Sequence, residues 1–257
     1  MLTALVLLVA ASADSPVRPS PAPRADTIHV EIGSKEVDGR VYKPHAARVR
    51  VQVGAEDSPP VAEWTNELTL GDSAGRPIMR WVTRGTRTAA GGNKVTWELR
   101  QTYDAITLAP YGHVSTSSAG AMSQMAIDGT RIRGRRQAAG SATAEPLDLT
   151  IDRPGFVASA SDLVPLAVGL KEGAVIVAPV WNANTNTTES RVFSIIGRTP
   201  ITVEGTPVNP WKVEERRHAD GALLATWYLL DTSPYMVYGE VVLPNGQVQR
   251  MSEVEIK

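Results

Sequence analysis

Apolar and polar residues alternate along most of this 257-residue chain. In "RVRVQV", Arg48–Val53, the valines Val49, Val51 and Val53 fall on one side and Arg48, Arg50 and Gln52 on the other. Successive side chains of a strand point to opposite faces, so a period of two predicts a half-buried strand. "VTWELRQ" repeats the pattern with Val95, Trp97 and Leu99 on one face, and "IMRWVTR" follows it less cleanly. Turn residues separate the runs: Gly75-Arg76-Pro77, Asp128-Gly129, Ala219-Asp220-Gly221 and Pro244-Asn245-Gly246. Tight turns at this spacing predict an antiparallel meander. No fixed-period repeat is visible, which argues against a solenoid or propeller.

Two stretches depart from simple alternation. In "SASDLVPLAVGLKEG", Ser159–Gly173, the apolar residues come at helical spacing. Ser161 is placed to cap a short helix there, and Gly169 or Gly173 to end it. In "ALLATWYLL" both faces are apolar, Leu223, Ala225, Trp227 and Leu229 against Leu224, Thr226, Tyr228 and Leu230; "YMVYGEVVL" behaves alike. A strand apolar on both faces must be covered on both. The pattern as a whole predicts a mainly β fold, a single antiparallel curved sheet or half-open β-barrel with a short mid-chain helix, as one domain over residues 26–257.

The N-terminus adds a compartment. An apolar run from Leu2 leads to Ala11-Ser12-Ala13, the small-residue pattern of a signal-peptide cleavage site, although no Lys or Arg precedes the run. Residues 1–13 are therefore expected to be a signal peptide, and the mature chain to begin near Asp14. Residues 14–25 read as a Pro-rich linker. No later apolar run is long enough to span a bilayer as a helix. The chain has no cysteine, which excludes an N-terminal lipid anchor on a thiol and any thiolate chemistry. Export without disulfides points to a bacterial envelope, with a periplasmic or secreted location. A formal net charge of −1 gives no field that would draw the chain to nucleic acid.

Motifs for chemistry are few. Leu229-Leu230-Asp231-Thr232 resembles the start of an aspartic-protease loop, but Ser233 and Pro234 follow where a glycine is needed. Asp-Thr-Ser-Pro is good turn chemistry, and Asp231 is read as a turn residue. His29, His45, His113 and His218 lie far apart, so no metal is expected, and each is read as an exposed strand or loop residue. "STSSAG" does not match a nucleophile elbow, and Gly91-Gly92-Asn93 reads as a hairpin turn rather than a phosphate loop. Arg131, Arg133 and Arg135 share one strand face, read as solvated. Catalytic residues and cofactors are therefore expected to be none.

Six tryptophans against two phenylalanines are the unusual feature. Aromatic strand residues ordinarily pack cores, and in a curved sheet they can also line an apolar cavity. Trp81, Trp97, Trp211, Trp227 and Tyr228 are the candidate ligand-binding residues, with a lipid or other amphipath as the candidate ligand.

The order of three segments, "ELTLGDSAGRPIMRW", "SDLVPLAVGLKEGAVIVAPVW" and "ITVEGTPVNPWKVEERR…ATWYLLDTSPYMVYGEVVLPNGQVQRM", resembles an exported bacterial family of unknown function. That family is built on a curved sheet similar to that of the lipoprotein-sorting carriers. The resemblance implies an apolar concave face that holds acyl chains, as an analogy of fold. Three function classes follow: a non-catalytic carrier of an apolar or amphipathic ligand, an envelope interaction module with no small ligand, and a hydrolase with a dispersed active site. A continuous cavity favours the first and a filled core the second. Paired carboxylates in a cleft would favour the third.

Overall fold

The protein is described here by a computed structural model, which covers residues 27–55, 58–88 and 92–256. The expected signal peptide, linker and Gly91 lie outside the described residues. In chain order, β1 (Thr27–His29) precedes a meander of β2 (His45–Val53), β3 (Ala62–Ser73), β4 (Arg76–Thr88), β5 (Lys94–Asp104), β6 (Pro110–Ser117), β7 (Met122–Asp128), β8 (Arg131–Gln137) and β9 (Glu145–Thr150). The short β10 (Phe156–Val157) and the helix α1 (Leu163–Val168) come next. The second half holds β11 (Val175–Asn182), β12 (Thr187–Arg198), β13 (Ile201–Val203), β14 (Thr206–Val208), β15 (Trp211–Arg217), β16 (Leu223–Leu229), β17 (Met236–Val242) and β18 (Val248–Glu255).

All strands but β13 and β14 belong to one curved sheet. Its order is β1-β11-β12-β15-β16-β17-β18-β2-β3-β4-β5-β6-β7-β8-β9, with β10 beside β1 on the same edge of β11. The two half-sheets join where β18 pairs antiparallel with β2, Met251 opposite Val51. The sheet curls without closing: no ladder links β9 to the β1–β10 edge among the described residues. Residues 151–155 cross that seam. There Arg153 Nη2 donates to Ser190 Oγ (2.6 Å) and Thr188 Oγ1 donates to the Arg153 carbonyl (3.0 Å).

The alternation seen in the sequence is the inside–outside register of this sheet. Along β2, His45, Ala47, Val49 and Val51 are buried and the residues between them are not. Turns fall within a residue of the positions expected. The β3–β4 turn is Ala74-Gly75, both at positive φ (54° and 79°), and the β7–β8 turn is Gly129-Thr130 rather than Asp128-Gly129. Two successive positive-φ residues twist a hairpin in the sense of its strands, which is why the chain turns at Ala74-Gly75 and Pro77 stays within β4.

The concave side carries the core. Fully buried side chains there include Leu68, Met79, Ile132, Ile176, Phe193 and Ile195, each contributing roughly 1.5–3 kcal/mol by burial. α1 sits among them, with Leu163 to Ala167 all buried, as expected of a helix apolar all round. Its ends are tied to the chain near β2: Asp38 N–H donates to the Ala167 carbonyl, and the Tyr42 hydroxyl donates to that of Leu163.

α1 is shorter than the Ser159–Gly173 stretch predicted. Residues Ala158–Ala160 form a 3-10 turn before it, and Gly169, at φ 109°, ends it with its N–H on the Pro165 carbonyl (3.0 Å). Ser161 is not its cap. Asp162 holds that position without a side-chain capping bond, and the Ser161 hydroxyl points to Glu215 instead. Donation to a carboxylate is a charge-assisted hydrogen bond, and it turns the Ser161 side chain toward β15.

The strands apolar on both faces are covered outside by a small device. The β13–β14 hairpin folds over the convex face, where Val203 and Val237 are both buried. Its tip residue Glu204 accepts from Arg48 (2.8 Å) and Arg50 (3.1 Å) on the outer face of β2. Beside it, Tyr228 and Tyr238 meet ring to ring at 5.5 Å.

Candidate functional site

The concave side is not filled by its own side chains. A cavity of about 440 Å³ remains, walled by Trp64, Trp81, Trp97 and Trp227 on one hand and by Asp162, Glu215 and Glu253 on the other. A second space of about 610 Å³ adjoins it toward the ends of β3, β4 and β5 and shares Trp64, Trp97 and Gln249 with it. Trp64 and Trp97 stand edge to face between the two, 5.6 Å apart and inclined 67°. A further groove of about 540 Å³ runs past Gly85 among the charged side chains Glu63, Arg84 and Glu98.

Glycines make room for the indoles. Gly85 pairs with Trp64 on one side and Trp97 on the other. A Cβ on Gly85 would lie 2.5 Å from Trp64 Cβ and 2.9 Å from the Glu63 carbonyl oxygen. Gly239 lies opposite Trp227, and a Cβ there would be 2.9 Å from two ring carbons of that indole. In both places the ring lies across a strand position that has no side chain of its own. Trp81 is held by an aromatic chain leading back to α1: His45 meets Trp81 at 5.8 Å and Tyr235 at 5.1 Å, and Tyr235 meets Tyr42 at 4.9 Å.

The polar wall has two parts. Glu215, 1% exposed, is fully engaged. It accepts from Ser161 Oγ (2.9 Å), from Trp227 Nε1 (2.7 Å) and from Arg191, which also reaches Glu189. A buried carboxylate held this way is compensated, and removing Arg191 would leave a charge costing about 3–5 kcal/mol. Glu253, 2% exposed, accepts among the described residues from Asn66 Nδ2 (3.2 Å), whose Oδ1 in turn accepts from Thr83 Oγ1 (2.9 Å). Asp162 faces the cavity with no lysine or arginine partner among the described residues. Burial pushes its carboxyl up from 3.8 to about 7, with the negative charge of Glu215 adding to the effect. Burial likewise pushes Glu253 well above the usual carboxylate range, against the pull of the Asn66 hydrogen bond. The hydroxyl of Tyr103, a core residue 2% exposed, finds no hydrogen-bond partner.

Three of the five residues expected from sequence, Trp81, Trp97 and Trp227, share the cavity wall. The other two do not. Trp211 has the inner parity of β15 but sits at its end, with Arg198 over its ring at 4.6 Å and its Nε1 on Asp231 Oδ1 (3.1 Å). Tyr228 faces the convex side against Tyr238, because neighbours in a strand point opposite ways. Trp64 belongs to the site although it was not among the five, and so do the three carboxyls. Inner parity could have found two of these: Glu215 is in register with Val213 in "WKVEERR", and Glu253 with Met251 in "QRMSEVE".

Asp231 lies in the β16–β17 connection, where it also pairs with Arg198. Tyr235 N–H donates to the Thr232 carbonyl (3.0 Å) and Leu230 N–H to that of Tyr235 (2.6 Å), the closing bonds of a turn. His29 and His218 are exposed as expected, and His45 and His113 are not. His45 is buried, and burial lowers the pKa of both His45 and His113. Each is drawn in by the inner register of its strand, and His45 by its aromatic neighbours. Among the described residues, no three His, Asp or Glu side chains are grouped to hold a metal ion. Arg131, Arg133 and Arg135 are exposed together, as their parity predicts; Asp148 meets the first two and Gln124 the third.

No family model matches the chain, and no curated protein is similar to it. Among solved structures it is similar to a β-barrel-like protein of a domain of unknown function, DUF1849, from Brucella abortus. The TM-score is 0.48 at 9% identity, over 83% of this chain and 98% of that one. The resemblance to lipoprotein-sorting carriers finds no support in that comparison. The class that the fold defines is a mainly β protein with one large curved, unclosed sheet and a single short helix among the described residues.

Proposed function

We propose that this protein is a non-catalytic, exported binding protein, periplasmic or secreted, that holds an amphipathic ligand in the concave cavity. The observation carrying this reading is the joint wall: four indoles and three carboxyls around about 440 Å³, a volume within the ~300–1,000 Å³ usual for small-molecule sites. An apolar body would rest on the indoles while a polar end meets the acids. The interaction-module alternative is weakened by the same space, since a sheet that serves only as a docking surface has no use for an unfilled interior. The hydrolase alternative gains carboxyls, but the one that receives the Ser161 hydroxyl, Glu215, is itself held by Arg191 and Trp227.

Trp227 and Tyr228 test the reading side by side, one facing the cavity and the other away from it. N-phenylnaphthylamine, a neutral probe that brightens in apolar sites, is titrated into each purified, folded variant. Trp227→Ala is expected to weaken its binding several-fold, and Tyr228→Ala to leave it unchanged. Equal binding by both variants, or no binding by the parent chain, refutes the proposal.

A further inference from the structure

Resting on the cavity reading above, we propose that the ligand's polar end is a cation: an ammonium group, primary or quaternary, carried on an apolar body. The charges on the cavity wall carry the argument. It presents Asp162, Glu215 and Glu253 against one arginine, Arg191. That arginine is spent on Glu215 and Glu189. Asp162 and Glu253 are left without a cationic partner among the described residues, and the hydrogen bond that Glu253 accepts from Asn66 is the one made to its carboxylate there. Glu253 is 2% exposed and Asp162 half-buried; a carboxylate taken from water without a counter-charge is costly, and a cation placed beside both relieves that cost.

The opposite wall agrees. Trp64, Trp81, Trp97 and Trp227 line the same space, and an indole attracts a cation that reaches its face through its quadrupole, most strongly where water is excluded. An anionic head, such as a fatty-acid carboxylate, meets three acids and the negative faces of the rings. A neutral head can bond to the acids but gains nothing from the rings. Only a cation is favoured by both walls, and its apolar body then extends past Trp64 and Trp97 toward the adjoining space of about 610 Å³.

Three probes of one chain length, each below its micelle concentration, test this by calorimetry on the purified chain: decyltrimethylammonium, decyl glucoside and decanoate. The cation is expected to bind at least about tenfold more tightly than either of the others. Glu253→Gln and Asp162→Asn should each weaken the cation about tenfold and leave decyl glucoside unchanged. Both substitutions keep side-chain shape and remove a buried charge, so folding is not at risk; thermal unfolding checks it.

Ionising a carboxyl on binding also links affinity to pH. The groups facing Asp162 are Glu215 from β15, Glu253 from β18, Tyr103 from β5, Tyr42 and Arg191. Asp162 is the carboxyl pushed up to about 7, so cation affinity should fall by up to about tenfold per unit below pH 7. Equal affinity for the three probes, independent of pH, overturns the cationic head while leaving the amphipath site standing. Binding of none of them overturns both. Tighter binding of decanoate reverses the charge assignment outright.

Discussion

Asp162→Asn offers a direct measure of what the cavity does to its own wall. Burial raises this carboxyl from 3.8 to about 7. A group whose folded value is raised stabilises the fold fully below its unfolded value, and that stabilisation is lost as pH rises through the folded value. At pH 5 the folded chain holds the proton and the unfolded chain has largely released it. At pH 8 neither holds it, and the folded state bears a buried, uncompensated charge. Integrating the linkage over that window for one group gives about 2–3 kcal/mol, and about 2 kcal/mol once the partly wet cavity side of the carboxyl is allowed for. Asparagine has no proton to lose. The variant's stability relative to the parent should therefore grow by about 2 kcal/mol from pH 5 to pH 8. Taking the difference removes the contributions of His45 and His113 to first order, since both proteins share them, while Glu253, raised in part by the charge of Asp162, relaxes in the same direction. Urea unfolding followed by tryptophan fluorescence at four pH values gives the numbers, and a gap that stays flat across the window would refute the burial of Asp162 as described here.

Two further outcomes are expected. Gly239→Ala places a methyl 2.9 Å from the Trp227 ring and should cost about 1–3 kcal/mol in urea unfolding while shifting the indole emission; unchanged stability and emission would mean the ring does not lie over Gly239. The exported form should begin at or near Asp14 on N-terminal sequencing, and a secreted chain that starts at Met1 would remove the signal-peptide reading.

The sheet was legible because strand parity is a local property. Val49 and Val51, or Trp97 and Leu99, share a face whatever the strand's neighbours are, so alternation predicted the inner register before any pairing was known. Pairing itself was not legible, since nothing in "RVRVQV" says that it lies beside "QVQRMSEVE". The short helix was legible from its stops, since it ends at Gly169, the earlier of the two glycines expected to end it, and the apolar residues around it are buried by the sheet. The site was half legible. Tryptophans at inner parity announced themselves by type, and Trp81, Trp97 and Trp227 line the cavity. Trp211 has the same parity but stands at a strand end, where Arg198 and Asp231 take it up, and Tyr228 lies off the cavity by parity alone. Glu215 and Glu253 were overlooked because a glutamate in a strand is ordinarily a solvent-facing residue, and only its register with buried Val213 or Met251 marks it as an inward acid. Asp162 gave no sign, because its burial comes from distant strands folding around the turn before α1.

The ladder between β18 and β2 has a consequence for how the molecule is made. Every other long pairing in the meander from β2 to β9 joins strands that are neighbours in sequence, so that half can zip up as it is synthesised. The pairing of Met251 with Val51 closes the largest loop in the chain, and loop closure of that span is slow and comes late. Until then the indoles of β3, β4 and β5 have no opposite wall, and Glu253 lacks its Asn66 partner on β3. The cavity, and with it the raised proton affinity of Asp162 and Glu253, therefore comes into being late. A nascent or partly threaded chain would carry two half-sheets with exposed aromatic faces, the kind of surface that general chaperones hold.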